Sequence, residues 1–278
     1  MYMININVIT YCGNYNLYVY ERFIGTLNDT GFNGTIFFII NKNDVKNMEI
    51  LLKKYNNIKY YIDNITSNYS KNCIRYIYYD KIINENPDDF YLLCDGRDVL
   101  FQKNIEEFNL EKNKLYFFKE NITFIQDKNW NYAWINQIQN QTKELFVDNI
   151  QYNSILCSGT IIGSSNILLN YLKNMINIMN RYNLAKPYNG IDQGIHNYLY
   201  YTNKLDNKNI ILFDNSDIYV NTIGAPLSLN LPNLISYKII DGKIYDKNNN
   251  LNYIVHQYDR MSLNEKNLLN HKYNFIDR

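Results

Sequence analysis

The sequence contains few of the residues that mark specialised protein classes. Its 278 residues include only four cysteines, and these stand singly rather than in the close pairs of a zinc site or the density of a disulfide-stabilised fold. We therefore expect reduced thiols in the core. Lysine and arginine number 28 against 27 acidic residues, which gives a formal charge of +1. This balance argues against a nucleic-acid groove or a polybasic membrane patch and favours a small-molecule partner.

Long apolar runs are missing as well. No apolar run approaches the roughly 18 to 20 residues that a membrane span requires, so we expect no membrane-spanning helix. The first ten residues lack the basic flank, apolar stretch and small-residue cleavage site of an export signal. These absences predict a cytoplasmic protein.

The first hundred residues alternate between apolar runs and amphipathic segments, which is the pattern of a doubly wound α/β sheet. A sheet of this type binds nucleotides, although no glycine-rich phosphate loop follows the first strand. The predicted strands are Ile4–Thr10, Thr35–Ile40, Ile58–Ile62 and Phe90–Cys94, and the predicted helices are Tyr15–Leu27, a helix capped by Asn43 that runs to about Lys54, and Tyr69–Asn84.

The pattern changes after Gln102, and the second half is predicted to be mixed. Without a linker rich in Pro, Gly or Ser and without a repeat, we expect a single domain over 1–278, with halves 1–102 and 103–260 and a tail 261–278. The predicted elements are strands Lys114–Lys119 and Ile155–Ile162, helical or looped structure at Trp130–Gln139, helix Ser165–Tyr182, a helix opening near Gly190, a hairpin turning at Asp241-Gly242, strand Tyr253–His256 and a surface helix or arm after Ser262.

The segment YLLCDGRDVLFQ, from Tyr91 to Gln102, carries the clearest chemical pattern. Asp95 falls at the carboxyl end of a predicted buried strand, where open α/β sheets bind ligands. Gly96 lets the backbone turn, so Asp95 and Asp98 could hold one divalent cation that bridges to a nucleotide diphosphate. From the spacing alone, a solvated surface turn is equally favoured.

Five further motifs are individually weak, since a strand end, a surface helix, a bulge, a helix cap or a structural histidine would explain each. They are VITYCGNYN with Thr10 and Tyr11, NCIRYIYYDKI with Arg75, CSGTIIGSS with Ser158, Gly159 and Thr160, GIDQGIHNYLYY with Asp192 and Gln193, and IVHQYDR with His256 and Arg260.

In this order, the motifs resemble those of the GT-A glycosyltransferases, most closely the nucleotide-sugar transferases that include glycogenin and galactinol synthase. The resemblance covers nearly the whole chain. That family usually carries Asp-Xaa-Asp, whereas this chain has Asp95-Gly-Arg-Asp98 with one additional residue. The longer spacing leaves open whether both carboxylates contact the metal directly.

The resemblance implies a single GT-A type domain with a mostly parallel, Rossmann-like sheet and a mixed acceptor-side half. The implied reaction is metal-dependent transfer of a hexose from a nucleotide sugar to a glycan or protein acceptor. A UDP-linked donor and retention of the anomeric configuration are favoured. Implied roles are Mn2+ or Mg2+ binding by Asp95, Asp98 and His256, nucleotide binding by Thr10, Tyr11, Arg75 and Arg260, donor-sugar contacts from Arg97, Ser158, Gly159 and Thr160, and catalysis by Asp192 and Gln193.

Three rival functions stay open. A non-catalytic carbohydrate-binding module descended from a transferase would leave the metal ligands idle. A sugar-nucleotide nucleotidyltransferase would be expected to carry a basic, glycine-rich loop after the first strand, whereas Cys12-Gly13-Asn14 contains no basic residue. An aspartyl phosphohydrolase would be expected to carry its acids on the first strand, whereas here they follow a later one. Trp130 and Trp134 either stack on an acceptor sugar or pack in the core, and their helical spacing favours the core.

Overall fold

The central sheet is formed by the apolar runs of both halves of the chain, in a computed structural model that describes residues 5–65, 69–87, 90–184, 190–269 and 272–276. The strands, numbered along the chain, are β1 (Ile6–Tyr11), β2 (Ile36–Ile40), β3 (Ile58–Ile62), β4 (Phe90–Asp95), β5 (Val99–Phe101), β6 (Leu115–Thr123), β7 (Ser154–Ser164), β8 (Ile210–Phe213), β9 (Val220–Thr222), β10 (Tyr237–Ile240), β11 (Lys243–Asp246) and β12 (Ile254–His256). The α-helices within the described ranges are α1 (Leu17–Asn28), α2 (Val45–Leu52), α3 (Lys71–Glu85), α4 (Asn131–Thr142), α5 (Val147–Ile150), α6 (Ser165–Arg181), α7 (Ile191–Tyr201), α8 (Gly224–Ser228) and α9 (Leu263–Asn267).

The seven strands of this sheet run in the order β3-β2-β1-β4-β7-β6-β8. Strands β1 to β4 are parallel, β7 is antiparallel to both of its neighbours, and β6 and β8 are parallel to each other. Because the direction reverses twice across β7, the carboxyl ends of β1, β4 and β6 lie at the same edge. The predicted α/β class with a mostly parallel sheet is confirmed, and the architecture is compatible with a single Rossmann-like domain.

The alternating side chains of each strand supply two separate cores, one on each face of the sheet. Phe37 and Ile39 of β2 pack on the face that carries α3, α6 and α7. Ile36, Phe38 and Ile40 pack on the opposite face, against α1 and α2. Each such side chain contributes about 1.5–3 kcal/mol by leaving water. The continuous apolar run is therefore explained by burial on both faces.

Two smaller sheets complete the fold. Strand β12 lies between β5, to which it is antiparallel, and β9, to which it is parallel. Strands β10 and β11 form the predicted hairpin, in which Asp241 and Gly242 have φ angles of 47° and 74°. Two successive positive φ angles are those of a type I′ turn, which the Asp-Gly pair favours.

Several element boundaries differ from the sequence-based predictions. Asn43 does not cap a helix, because a 3-10 turn over Lys42–Asp44 comes first and α2 begins at Val45. The strand predicted to end at Lys119 continues to Thr123, with irregular pairing to β7 at Lys119. Strands β5, β8 and β9 were not predicted. Helix α4 shows that the region at Trp130–Gln139 is helical rather than looped, and Ile4, the predicted start of the first strand, lies outside the described residues.

The predicted tail is described over residues 261–269 and 272–276, and it contains the predicted surface helix as α9. Among the described residues, no helix combines the length and the apolar character that crossing a membrane requires. The predicted division into halves at residue 102 stays a prediction.

Candidate functional site

Two sheets bring the acid motif and the predicted histidine together. Asp95 ends β4 at the carboxyl edge of the central sheet, and Asp98 immediately precedes β5. In the small sheet, His256 of β12 is paired with Val99 of β5, which places the imidazole beside Asp98. The His256 Nε2 atom lies 3.2 Å from Asp95 Oδ2 and 4.0 Å from Asp98 Oδ1.

Asp95, Asp98 and His256 form a group that could hold a metal ion. Each offers one ligand atom, and these atoms all lie within 4.8 Å of one another. Two carboxylates and one imidazole suit a divalent cation such as Mn2+ or Mg2+. The other ring nitrogen, Nδ1, lies 3.2 Å from the Sγ atom of buried Cys157, a contact that leaves Nε2 facing the carboxylates.

Gly159 leaves the space in which these ligands meet. The pairing of Cys94 on β4 with Thr160 on β7 sets Gly159 directly beside the acid motif. A Cβ atom at Gly159 would lie 2.6 Å from Asp95 Oδ2 and would also overlap the imidazole ring of His256. Glycine is therefore the residue that fits at this position.

The electrostatics of the group favour opposite charges on its members. Burial alone would raise the pKa of Asp95, but the charge of Arg75 and the bond to His256 outweigh it and hold the pKa well below its ordinary value. Burial alone would lower the pKa of His256, but Cys157 and Asp95 outweigh it and raise the pKa well above its ordinary value. Since a metal-bound imidazole must be neutral, cation binding would displace a proton from His256.

Arg75 connects Asp95, at the end of β4, to α7. Its guanidinium group donates to Asp95 Oδ1, to Asp192 Oδ2 at 2.7 Å and to the Ser158 carbonyl oxygen at 3.2 Å. The side chain lies on α3 and is buried, so these bonds offset the cost of burying its charge. Arg75 therefore fixes Asp95 and Asp192 relative to each other.

Asp192 and Gln193 lie in the first turn of α7 and face the same space. Asp192 is buried, and burial raises the pKa of its carboxyl group. The Gln193 side chain accepts from the Ser158 backbone N–H at 3.2 Å and donates to Glu120 and Asn131, each at 2.9 Å. Ser158, predicted to contact the donor sugar, is thus in contact with the predicted pair on α7.

Glu120 and Asn131 are site residues that the sequence analysis missed. Glu120 lies on β6 and is buried, and burial raises its pKa to about 7. Ending the predicted strand at Lys119 placed Glu120 outside it. An acidic residue inside a strand that is otherwise mostly apolar was the available indication.

A cavity of about 560 Å³ lies beside the metal group and opens between α4, α7 and α8. The predicted site residues that line it are Arg75, Asp95, Ser158, Asp192, Gln193 and Arg260. Glu120 also lines it. One cavity therefore brings together carboxylates, an amide and two guanidinium groups.

The remaining predicted residues do not line this cavity among the described residues. Asp98, Gly159 and His256 lie behind Asp95. Thr10 and Thr160 are fully buried in strands that flank β4. Tyr11 and Arg97 each have a carboxylate partner outside the cavity lining.

Tyr11 and Arg97 make contacts elsewhere on the same edge of the sheet. The Tyr11 hydroxyl donates to Asp63 Oδ2 at 2.5 Å, and Lys71 binds the same oxygen. Arg97 pairs with Asp259 at 2.5 Å. The structure thus brings the predicted metal and catalytic residues together, while the predicted base-binding residues lie to the side of β4 occupied by β1.

Comparisons with known proteins find no protein-family model that matches the chain and no curated protein that matches it significantly.

Proposed function

We propose that this protein is a metal-dependent glycosyltransferase of the GT-A class. More particularly, we propose that it transfers a hexose from a nucleotide sugar, UDP-linked by preference, to a glycan or protein acceptor with retention of configuration. The observation that carries the proposal is the convergence of Asp95, Asp98 and His256, of which Asp95 lines a cavity that Asp192 and Gln193 also line.

The metal group supplies the first argument. Asp95, Asp98 and His256 would hold Mn2+ or Mg2+, and the ion would stabilise the negative charge of the departing diphosphate. The position of Asp95 at the carboxyl edge of a mostly parallel sheet is where α/β proteins bind nucleotides. Arg260 lines the cavity with a side chain that is 45% exposed and donates to Asp259 Oδ2 at 3.1 Å, so a phosphate group in the cavity would compete with that carboxylate for its charge.

The polar residues of α7 supply the second argument. Arg75 holds Asp192 in place, and Gln193 is held by Ser158, Glu120 and Asn131. Fixed polar groups of this kind are suited to stabilising positive charge that develops on a sugar ring during transfer. Asp192 is our candidate for this role, with Gln193 orienting the donor sugar.

The test is to incubate the purified chain with a panel of UDP-sugars, with and without Mn2+, and to measure released nucleoside diphosphate. We expect metal-dependent release of nucleoside diphosphate. Its rate should fall by roughly 100-fold or more in Asp95→Asn and in Asp98→Asn. Asp148→Asn is the matched control, because Asp148 is an exposed acid on α5, away from the cavity.

The rival functions predict different results with other substrates and ligands. Glycan binding without turnover and without an effect of chelator would favour a carbohydrate-binding module. Release of pyrophosphate from a nucleoside triphosphate and a sugar phosphate would indicate a nucleotidyltransferase. Release of phosphate from a phosphomonoester would indicate a phosphohydrolase, and each of these results would contradict the proposal.

A further inference from the structure

Both tryptophans of the chain line the cavity beside the metal group. The ring centroids of Trp130 and Trp134 lie 6.1 Å apart, with an angle of 51° between the ring planes. Trp130 is 59% exposed, so the core packing favoured by the sequence does not apply to it. A large exposed indole at the edge of a polar cavity is characteristic of a ligand-binding surface.

Trp134 is held in place by the helix that carries the candidate catalytic residues. Gly190 and Gly194, at the start of α7 and within it, both lie against this side chain. A Cβ atom at Gly190 would collide with the indole ring, and one at Gly194 would lie 2.9 Å from the Trp134 Cβ atom. Trp130 and Trp134 together form an aromatic wall of the cavity, and the contacts of Trp134 fix this wall relative to Asp192 and Gln193.

Asp127 adds a hydrogen-bond acceptor to this wall. It is 4% exposed and lines the cavity, and its Oδ2 atom accepts from the backbone N–H and the side-chain amide of Asn131 at 3.2 and 2.6 Å. Its Oδ1 atom is buried and has no hydrogen-bond partner in the part of the chain that the structure describes. A buried carboxylate oxygen without a partner costs free energy unless a ligand donates to it.

The wall lies on the opposite side of β4 from Tyr11. The sheet order places β1, which ends in Tyr11, on one side of β4, and places β7 and then β6 on the other. Asp127, Trp130 and α4 follow the carboxyl end of β6 in the chain. The aromatic wall is therefore separate from the position expected for the nucleotide base.

We propose that Trp130, Trp134 and Asp127 form a subsite for a pyranose ring of the acceptor, so that the acceptor is a glycan rather than a bare protein side chain. This inference rests on the proposed transferase function. The C–H face of a pyranose is apolar and packs on an indole ring, while its hydroxyl groups donate to a carboxylate. Trp130 supplies the face and Asp127 Oδ1 supplies the acceptor.

Intrinsic fluorescence tests the subsite directly, because both tryptophans of the chain belong to it. The probes are linear trisaccharides of glucose, galactose, mannose and N-acetylglucosamine, added without donor. We expect a saturable fluorescence change with at least one of them. Trp130→Ala should raise the Kd of that trisaccharide roughly tenfold, and Trp130→Phe, which keeps an aromatic face, should raise it less.

Two further variants sharpen the comparison. Asp127→Asn should weaken trisaccharide binding several-fold, because an amide replaces one carboxylate oxygen. Tyr152→Ala is the control, since Tyr152 is 73% exposed but does not belong to the residues that line the cavity. It should leave the Kd unchanged.

Donor turnover in water, measured in the same variants, separates this proposal from the one on which it rests. Metal-dependent UDP release without any trisaccharide response would overturn the subsite and leave the transferase in place. A response that depends on Trp130 but occurs without turnover would support the subsite and contradict the transferase. If Trp130→Ala weakens binding of UDP with Mn2+ instead of the trisaccharide, the wall binds the base and the subsite is overturned.

Discussion

At Gly159 the backbone of β7 passes so close to Asp95 and His256 that the absence of a side chain determines whether the ligands can meet. The metal group is therefore defined by four residues, of which one contributes only space. The resemblance to glycosyltransferases implied a donor-sugar contact for Gly159, since glycine permits close approach to the backbone. In the structure, the groups that approach it closely are the candidate metal ligands Asp95 and His256.

Replacing Gly159 by alanine should weaken Mn2+ binding by roughly 10–100-fold, the range for residues that position metal ligands. The added methyl group would push Asp95 and His256 apart. Titration calorimetry with Mn2+ measures the effect. Gly163→Ala in the same strand is the control, because the atoms nearest to its added Cβ belong to Leu115, Leu168 and Lys114, at 3.0–3.3 Å, and not to a candidate metal ligand. Equal Mn2+ affinity in the two variants would contradict this account of the site.

Among the elements, α4 and α7 set the shape of the cavity, since one carries the tryptophans and the other carries Asp192 and Gln193. Gly190 lies at their contact, at the N-cap of α7, with a φ angle of 84°. Its small size admits Trp134, and its backbone conformation is one that other residues adopt at a cost. Packing against Trp134 and the positive φ angle therefore both favour glycine at position 190.

Gly190→Ala should lower the free energy of unfolding by about 2–4 kcal/mol, of which about 1–2 kcal/mol is backbone strain and the rest is overlap with Trp134. Urea unfolding followed by circular dichroism measures the total. Gly31→Ala isolates the backbone contribution, because Gly31 has a φ angle of 86° but only one atom, 3.9 Å away, within reach of an added Cβ. If the two variants lose the same stability, Trp134 does not constrain Gly190.

Elements with local determinants could be predicted from the sequence, and elements with remote partners could not. The apolar runs of β2, β3 and β4 are long enough to identify a strand without knowledge of its neighbours. Strands β5 and β9 have three residues each and exist because β12, far along the chain, pairs with both. For the same reason, His256 could be identified as a candidate ligand from its position in the order of motifs. Its pairing with Val99 could not be predicted, because the two strands are far apart in the sequence.

Site residues follow the same division. Asp95 and Asp98 could be recognised because strand, turn and acids are adjacent in the sequence. Glu120 could not, because its importance comes from Gln193, which approaches it only in the folded chain. Asp127 has a local partner in Asn131, but its place in the cavity lining depends on elements that only the fold brings together. Tyrosine adds to the difficulty: Tyr20 and Tyr91 are fully buried, whereas Tyr152 is exposed, so this residue type does not separate core from surface.

At the scale of the whole molecule, the two cores carry ionisable groups that couple stability to pH. His196 lies on α7 in the core that covers one face of the sheet, with its ring 4.3 Å from that of Phe117 and its Nδ1 atom 2.8 Å from the Tyr171 hydroxyl. It is fully buried, and burial lowers its pKa to about 3. In the unfolded chain the same group titrates near its ordinary value of about 6.5.

The contribution of His196 to the free energy of unfolding should therefore fall as the pH drops below about 6.5, because the unfolded chain then binds a proton at this group that the folded chain does not. Glu120, whose pKa is raised by burial, contributes in the opposite direction, so the His196 contribution is obtained by comparing the slopes of the parent chain and a His196 variant. For His196 the slope approaches about 1.4 kcal/mol per pH unit until the pH nears 3. Urea unfolding at several pH values between about 4 and 6 measures it. His196→Gln should be less stable at neutral pH, through lost packing, but should show a shallower slope. Leu199→Ala, a buried substitution on the same helix, is the matched control and should lower stability without changing the slope. An unchanged slope in His196→Gln would contradict the assignment of this pH dependence to His196.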